Sequence, residues 1–170
     1  DAYGYSGVDV TTTGLVDTAG YDSTGVLAES YNGAATVNVA SVTTIGDYSE
    51  GVDVSSYNGA ASVVSTGTIS TSGYDSGGVL VDSDNGDASA TVVNVNTAGD
   101  YSDAVNVYSG AGTATIISTG TISTTGGSSD AVDAFAYDGD ANITNSGPVT
   151  TAGDFSNALE AGSFNGSVTI

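Results

Sequence analysis

Lysine, arginine and histidine are all missing from this chain of 170 residues, which carries twenty Asp and Glu and a net charge of −20. That absence excludes whole classes of function. Nucleic-acid binding rests on cationic side chains that neutralise phosphates, so it falls away. An anionic membrane surface repels such a chain for the same reason. Cysteine, tryptophan and methionine are absent too, and proline occurs once. Without His, Lys or Cys the usual nucleophile–base pairs cannot be assembled, a Ser-His-Asp arrangement among them. Zero cysteine fits either a reducing interior or export without disulfides. No apolar run approaches the length of a membrane span, about 18 residues, and nothing resembles a signal peptide. The chain begins with Asp and not Met, which reads as a processed product or an excerpt of something longer.

High charge with abundant Gly, Ser and Asp is a common signature of disorder. Here hydrophobic residues make up 39% of the chain, and Val and Ile recur at regular positions. Aromatic residues are only 8%, so a core has to be built from small aliphatic side chains.

The regularity is a repeat. Ser65 begins STGTISTSGYDSGGV and Ser118 begins STGTISTTGGSSDAV, 53 residues later. Anchoring on Gly20, Gly46, Gly73, Gly99, Gly126 and Gly153 gives spacings of 26, 27, 26, 27 and 27. Three residues after each anchor stands a serine: Ser23, Ser49, Ser76, Ser102, Ser129 and Ser156. Two residues before each stands a threonine: Thr18, Thr44, Thr71, Thr97, Thr124 and Thr151. Thirteen after each comes a glycine, most often in an Asn-Gly pair such as Asn32-Gly33, Asn58-Gly59 or Asn85-Gly86.

Within one copy the apolar residues alternate, the period of a strand. Val52 and Val54, Val79 and Val81, and Val105 and Val107 fill the same two slots, while the residue between them varies freely. A second alternating pair follows (Ala61 and Val63, Ala114 and Ile116), and the Val/Ile and Thr before the next anchor form a third. The Asn-Gly turns supply residues that accept positive φ. Hairpins would alternate direction and would not demand the same residue in every copy. The pattern therefore predicts an all-β, parallel β-solenoid: a three-faced β-helix of about six coils of 26–27 residues, with a shortened first coil over residues 1–19, forming a single rod from 1 to 170. Strands about 4.8 Å apart make such a rod roughly 30 Å long.

The stretch Gly67-Thr68-Ile69-Ser70-Thr71-Ser72-Gly73-Tyr74-Asp75-Ser76-Gly77-Gly78-Val79 resembles the β-helical passenger regions of bacterial autotransporters and related large surface adhesins, whose coils often read G-x-I-x-T-x-G-x-x-S-x-G-V. The resemblance implies secretion and a structural or adhesive role at a cell surface.

The repeated residues invite chemistry, and each has a plainer reading. The serines have no base to activate them; hydroxyls bonding backbone from coil to coil suit them better. The threonines share the phase of the Val/Ile two residues earlier and are expected to point inward as a buried ladder. The outward residues of that strand (Asp17, Thr43, Ser70, Asn96, Ser123, Thr150) are the candidates for an ice- or crystal-binding face. Hydrolysis by paired carboxylates is chemically open, yet the acids recur with the repeat and no long inserted loop gathers them. We therefore read the chain as no enzyme. The acids Asp22, Asp47, Asp75, Asp100 and Asp154 beside the anchors, with Glu50, Asp103 and Asp130 just beyond, are candidate ligands for low-affinity Ca²⁺ from neighbouring coils; no cofactor is required. Tyr and Asp swap order in successive coils (Tyr21-Asp22, Asp47-Tyr48, Tyr74-Asp75, Asp100-Tyr101), an order expected to place aromatic rings between carboxylates. Exposed tyrosines beside the Asn-Gly turns (Tyr31, Tyr57, Tyr137, with Phe164) are candidates for gripping glycans or a sister fibre.

At the ends, Val8-Asp9-Val10 passes almost directly to Leu15-Val16, so the first coil is expected to lack a middle strand, and the chain stops on a middle strand at Val168-Thr169-Ile170. An open solenoid end is a template for pairing. Val8, Val10, Val168 and Ile170 are thus the expected self-assembly ends, joining copies head to tail by strand addition, unless the chain continues into the rest of a longer solenoid. The function this sequence predicts is a non-enzymatic structural element of an extracellular or cell-surface fibre, matrix filament or adhesin stalk. The alternative is an adhesin or binding module for a glycan, calcium or a crystal surface.

Overall fold

The computed structural model describes all 170 residues, and its only regular secondary structure is β-strand. Twenty strands form three sheets, all of whose pairings are parallel. The first sheet has seven strands: Ala2–Gly4, Val26–Ser30, Val52–Ser56, Val79–Ser83, Val105–Ser109, Val132–Ala136 and Leu159–Ser163. The second also has seven: Val8–Thr11, Ala35–Val39, Ala61–Ser65, Ala88–Val92, Ala114–Ser118, Ala141–Asn145 and Val168–Thr169. The third has six: Leu15–Ala19, Ser41–Ile45, Thr68–Ser72, Asn94–Thr97, Ile122–Thr124 and Val149–Thr151. The chain visits the sheets in turn, so each residue lies over its equivalent one coil away. Val52 pairs with Val79, Val79 with Val105 and Val105 with Val132. This is the parallel β-solenoid, in the register the anchor glycines set.

Alternation along each strand decides what is buried. In Val79–Ser83 the first, third and fifth residues are buried and the intervening two only partly so. The inward residues of all three sheets make one continuous cluster of Val, Ile and Ala. Ile69, Ile116 and Ile122 are its largest fully buried members, and no aromatic ring enters it. β-branched side chains suit this interior because they pack across stacked strands with little rotamer freedom to lose. Burial of each Val or Ile contributes about 1.5–3 kcal/mol.

Two expectations need correction. The Asn-Gly turns contain no left-handed residue. Positive φ falls two residues after each anchor instead, at Asp22, Tyr48, Asp75, Tyr101, Ser128 and Phe155, with φ between 52 and 59°. The turn glycines are required by close approach: a Cβ on Gly59 would lie 2.5 Å from the carbonyl carbon of Gly33, and one on Gly86 2.6 Å from the carbonyl oxygen of Gly59. The first coil also does not lack a middle strand. Val8 pairs with Ala35 and Val10 with Val37, which places both in the second sheet. The shortening falls on the first-sheet strand, which starts at Ala2 opposite Ala28.

Candidate functional site

The corner between the third and first sheets is the most densely bonded part of each coil. Its serines are staples between coils. The Ser49 Oγ accepts the N–H of Ser23 at 2.9 Å and donates to the Gly20 carbonyl at 3.0 Å. Ser76, Ser102, Ser129 and Ser156 each accept the serine N–H of the preceding coil in the same way. The threonines point inward and lock the turn within a coil. Thr44 Oγ1 donates to the Ser49 carbonyl, and Thr71, Thr97 and Thr124 repeat the bond at 2.7–2.8 Å. Thr18 and Thr151 make it in the end coils, at 2.8 and 3.3 Å. These bonds hold the left-handed Tyr48, Tyr101 and Phe155, a conformation costly for a bulky side chain.

Sequence reasoning missed a second serine ladder. Ser30, Ser56, Ser83, Ser109 and Ser163 stand ten residues after their anchors, with Ala136 the one exception. Ser56 Oγ donates to the Gly33 carbonyl of the preceding coil and accepts the Gly59 N–H. Ser83, Ser109 and Ser163 do the same. The signal that could have found them is the recurrence itself, a serine ten residues after five of the six anchors.

The candidate calcium ligands divide by position. Asp47 Oδ1 accepts the Tyr74 N–H at 2.8 Å and Asp100 Oδ1 accepts that of Gly127 at 2.7 Å. Asp103 Oδ1 accepts the Asp130 N–H, and Asp130 Oδ1 accepts that of Asn157. Glu50 accepts from the Thr24 hydroxyl. Each of these carboxylates is thus engaged by the chain itself, mostly by backbone N–H groups of the next coil. Asp22 and Asp75 occupy the left-handed position and, like Asp154, are exposed. No three acidic side chains are grouped so that they could hold one metal ion. In register, a ring and a carboxylate alternate from coil to coil: Asp22, Tyr48, Asp75 and Tyr101 share one slot, and Tyr21, Asp47, Tyr74 and Asp100 the other. Tyr21, Tyr48, Tyr74 and Tyr101 meet one another edge to face, with centroids 5.3–5.7 Å apart. With this order the rings of adjacent coils stay within reach of one another.

The acids are partitioned among the faces. All but Asp1, Asp9 and Asp17 lie on the first sheet or at the two corners flanking it. Crowding there perturbs titration. Asp53 lies between Leu27 and Leu80 on the neighbouring strands. Burial against them, reinforced by Glu50, Glu29 and Asp82, pushes its carboxyl up to about 6. Asp133 reaches about 6 through burial and then Glu160, Asp103 and Asp130. Burial also raises Asp82 and Asp103. The outward residues Asp17, Thr43, Ser70, Asn96, Ser123 and Thr150 do form one row on the third sheet.

A second aromatic column runs along the corner between the first and second sheets. Tyr5, Tyr31 and Tyr57 stack nearly face to face at 5.6 and 5.1 Å, and Tyr137 stacks on Phe164 at 5.0 Å. Beside the first of these columns opens a groove of about 510 Å³ that also takes in Tyr3, Glu29, Asp82 and Asp84. The arrangement can hold a ligand by stacking and by accepting hydrogen bonds or charge. It contains no cationic side chain to stabilise a developing oxyanion.

At the ends, Val8 and Val10 are half-buried against the core. Val168 pairs with Ala141 and is 48% exposed, and Ile170 is 66% exposed. Comparison of the chain with protein-family models, curated proteins and solved structures finds no match.

Proposed function

We propose that the chain is a non-enzymatic structural rod of an extracellular or cell-surface fibre, of the kind the passenger regions of surface adhesins provide. The observation that carries this reading is the uniformity of the stack. Every coil is sealed to the next by strand pairing and by the serine staples, and no inserted loop interrupts it. Such a body transmits length and stiffness, since each coil contacts only its neighbours. Its first and last layers pair on one side only, so strand addition extends it, by further coils of the same chain or by a second copy. The absence of Lys and Arg leaves trypsin-like proteases no cleavage site. The net charge of −20 holds neighbouring rods apart in solution. The reading calls for no metal, nucleic acid or membrane insertion.

The exposed tyrosine columns favour a second reading, in which the rod also displays a binding surface. Electron microscopy and light scattering of the purified chain test the first. Filaments whose mass grows with concentration are the expected result. A monodisperse monomer up to millimolar concentration overturns self-assembly and leaves the rod as a segment of one longer chain.

A further inference from the structure

We propose that the groove beside the Tyr5–Tyr31–Tyr57 column is the docking site for an arginine-bearing segment of a cationic partner protein. The column explains why. In a stacked pair each ring covers the face of its neighbour, so Tyr31 is covered on both sides, by Tyr5 at 5.6 Å and by Tyr57 at 5.1 Å. Tyr31, Tyr57 and Asp84 occupy the same slot of successive coils, eleven residues after their anchors. The coil after Tyr57 thus supplies a carboxylate where the column would continue with a ring, and the far face of Tyr57 has no aromatic over it. Asp82 and Asp84 line the groove at that point, with Glu29 further along it.

A planar guanidinium is the group that fits both features. It stacks on an aromatic face as a further ring would, and its fork of N–H donors meets carboxylate oxygens two at a time. An ammonium meets the charge but not the plane. The chain has no cationic side chain to fill the notch, and a second copy has none either, so charge complementarity assigns the guanidinium to a different, basic protein. The half-buried Asp82 carboxyl is raised by burial and then by the neighbouring Asp84. Side-by-side packing of two rods through this face brings carboxylates against carboxylates and is disfavoured.

The experiment is calorimetric titration of the folded chain with hexa-arginine, hexa-lysine and a neutral chito-oligosaccharide at about 0.15 M salt, where long-range attraction is screened. Hexa-arginine is expected to bind about fivefold more tightly than hexa-lysine. Tyr57→Leu and Asp84→Asn are each expected to weaken it about fivefold, whereas Tyr57→Phe, which keeps the ring, retains binding. Asp75→Asn, at a different corner, removes the same charge and is expected to change affinity less than about twofold. Thermal melts of each variant confirm the fold, and Tyr57→Phe keeps the ring test intact if the leucine disturbs the column. Equal losses for Asp75→Asn and Asp84→Asn, no effect of removing the ring, equal affinity for the two peptides, or no binding at all overturns the proposal. Oligosaccharide binding that survives Asp84→Asn also overturns it and makes the groove a sugar site.

Discussion

The first and second sheets share one interior and differ in what they show the solvent. Inward, both present small aliphatic side chains: Val52 and Val54 in one coil of the first, Ala61 and Val63 in the second. Outward, the first carries Leu27, Asp53, Leu80, Asn106, Asp133 and Glu160 in one row, and Glu29, Ser55, Asp82 and Tyr108 in the next. The second carries Thr36, Ser62, Ser89, Thr115 and Asn142, then Asn38, Val64, Thr91, Ile117 and Thr144, with no carboxylate from Ala35 onward. The backbone is the same. Fold therefore resides on the inward side of each strand, and a solenoid can vary the outward side without touching it. Concentrating the charge on one face leaves Asp9 and Asp17 as the only acids on the strands of the other two.

The shared interior gives the largest expected effects. Val54→Asp in the first sheet and Ile116→Asp in the second each bury an unpaired charge in the same core and are expected to cost more than about 4 kcal/mol, read as loss of the native strand signal on melting. A large difference between the two would break the idea of one continuous interior. The corner joining the sheets comes next. Gly86→Val forces a Cβ to within 2.6 Å of the Gly59 carbonyl oxygen and 2.7 Å of its carbon, and the backbone has to shift at a cost of about 2–4 kcal/mol. Gly14→Ala has nothing within 4 Å and is expected to leave the melting temperature nearly unchanged.

The division between the two sides of a strand also sets how much of this was legible in the sequence. Residues that repeat because coils stack on them, the anchor glycines and the serine after each, are identical from copy to copy and give the fold directly. Outward residues vary, and a varying residue acquires meaning only when its face and neighbours are known. Asp53 reads as one more acid until Leu27 and Leu80 are seen flanking it. The first coil was misread because Val8-Asp9-Val10 has the same alternation as a first-sheet strand, and only the pairing of Val8 with Ala35 distinguishes the two. The glycines of the Asn-Gly turns were identified correctly and explained wrongly, since close approach of a neighbouring backbone leaves no local trace in sequence. The aromatic columns appeared as recurring residues, but edge-to-face and face-to-face contacts, and the groove beside one of them, depend on distances that no spacing gives.

Titration sharpens the contrast between faces with a smaller effect. Asp53 and Asp133 titrate near 6 in the folded rod and near 4 when unfolded. The folded state then binds more protons than the unfolded between about pH 4 and 6, so stability falls as pH rises through that window. The rod is expected to melt at a higher temperature at pH 5 than at pH 7. Asp53→Asn should raise stability at pH 7 by about 1 kcal/mol after solvent screening and flatten the pH dependence. A melting temperature that rises steadily from pH 5 to pH 7 would contradict the crowding of the first face.

The smallest effect is expected on the second sheet. Ser62→Asp places a carboxylate between Thr36 and Ser89, neither of which is charged. Without acidic neighbours on its own face, the new group is expected to titrate as an ordinary aspartate and to cost less than about 0.5 kcal/mol at pH 7. Its effect should also be nearly the same at pH 5 and pH 7, in contrast to Asp53 one strand position away around the coil. The measurement is the melting temperature of Ser62→Asp at both pH values. A pH-dependent loss as large as the gain from Asp53→Asn would mean that the charge of the first face reaches across the thin interior, and that the two faces are not electrostatically independent.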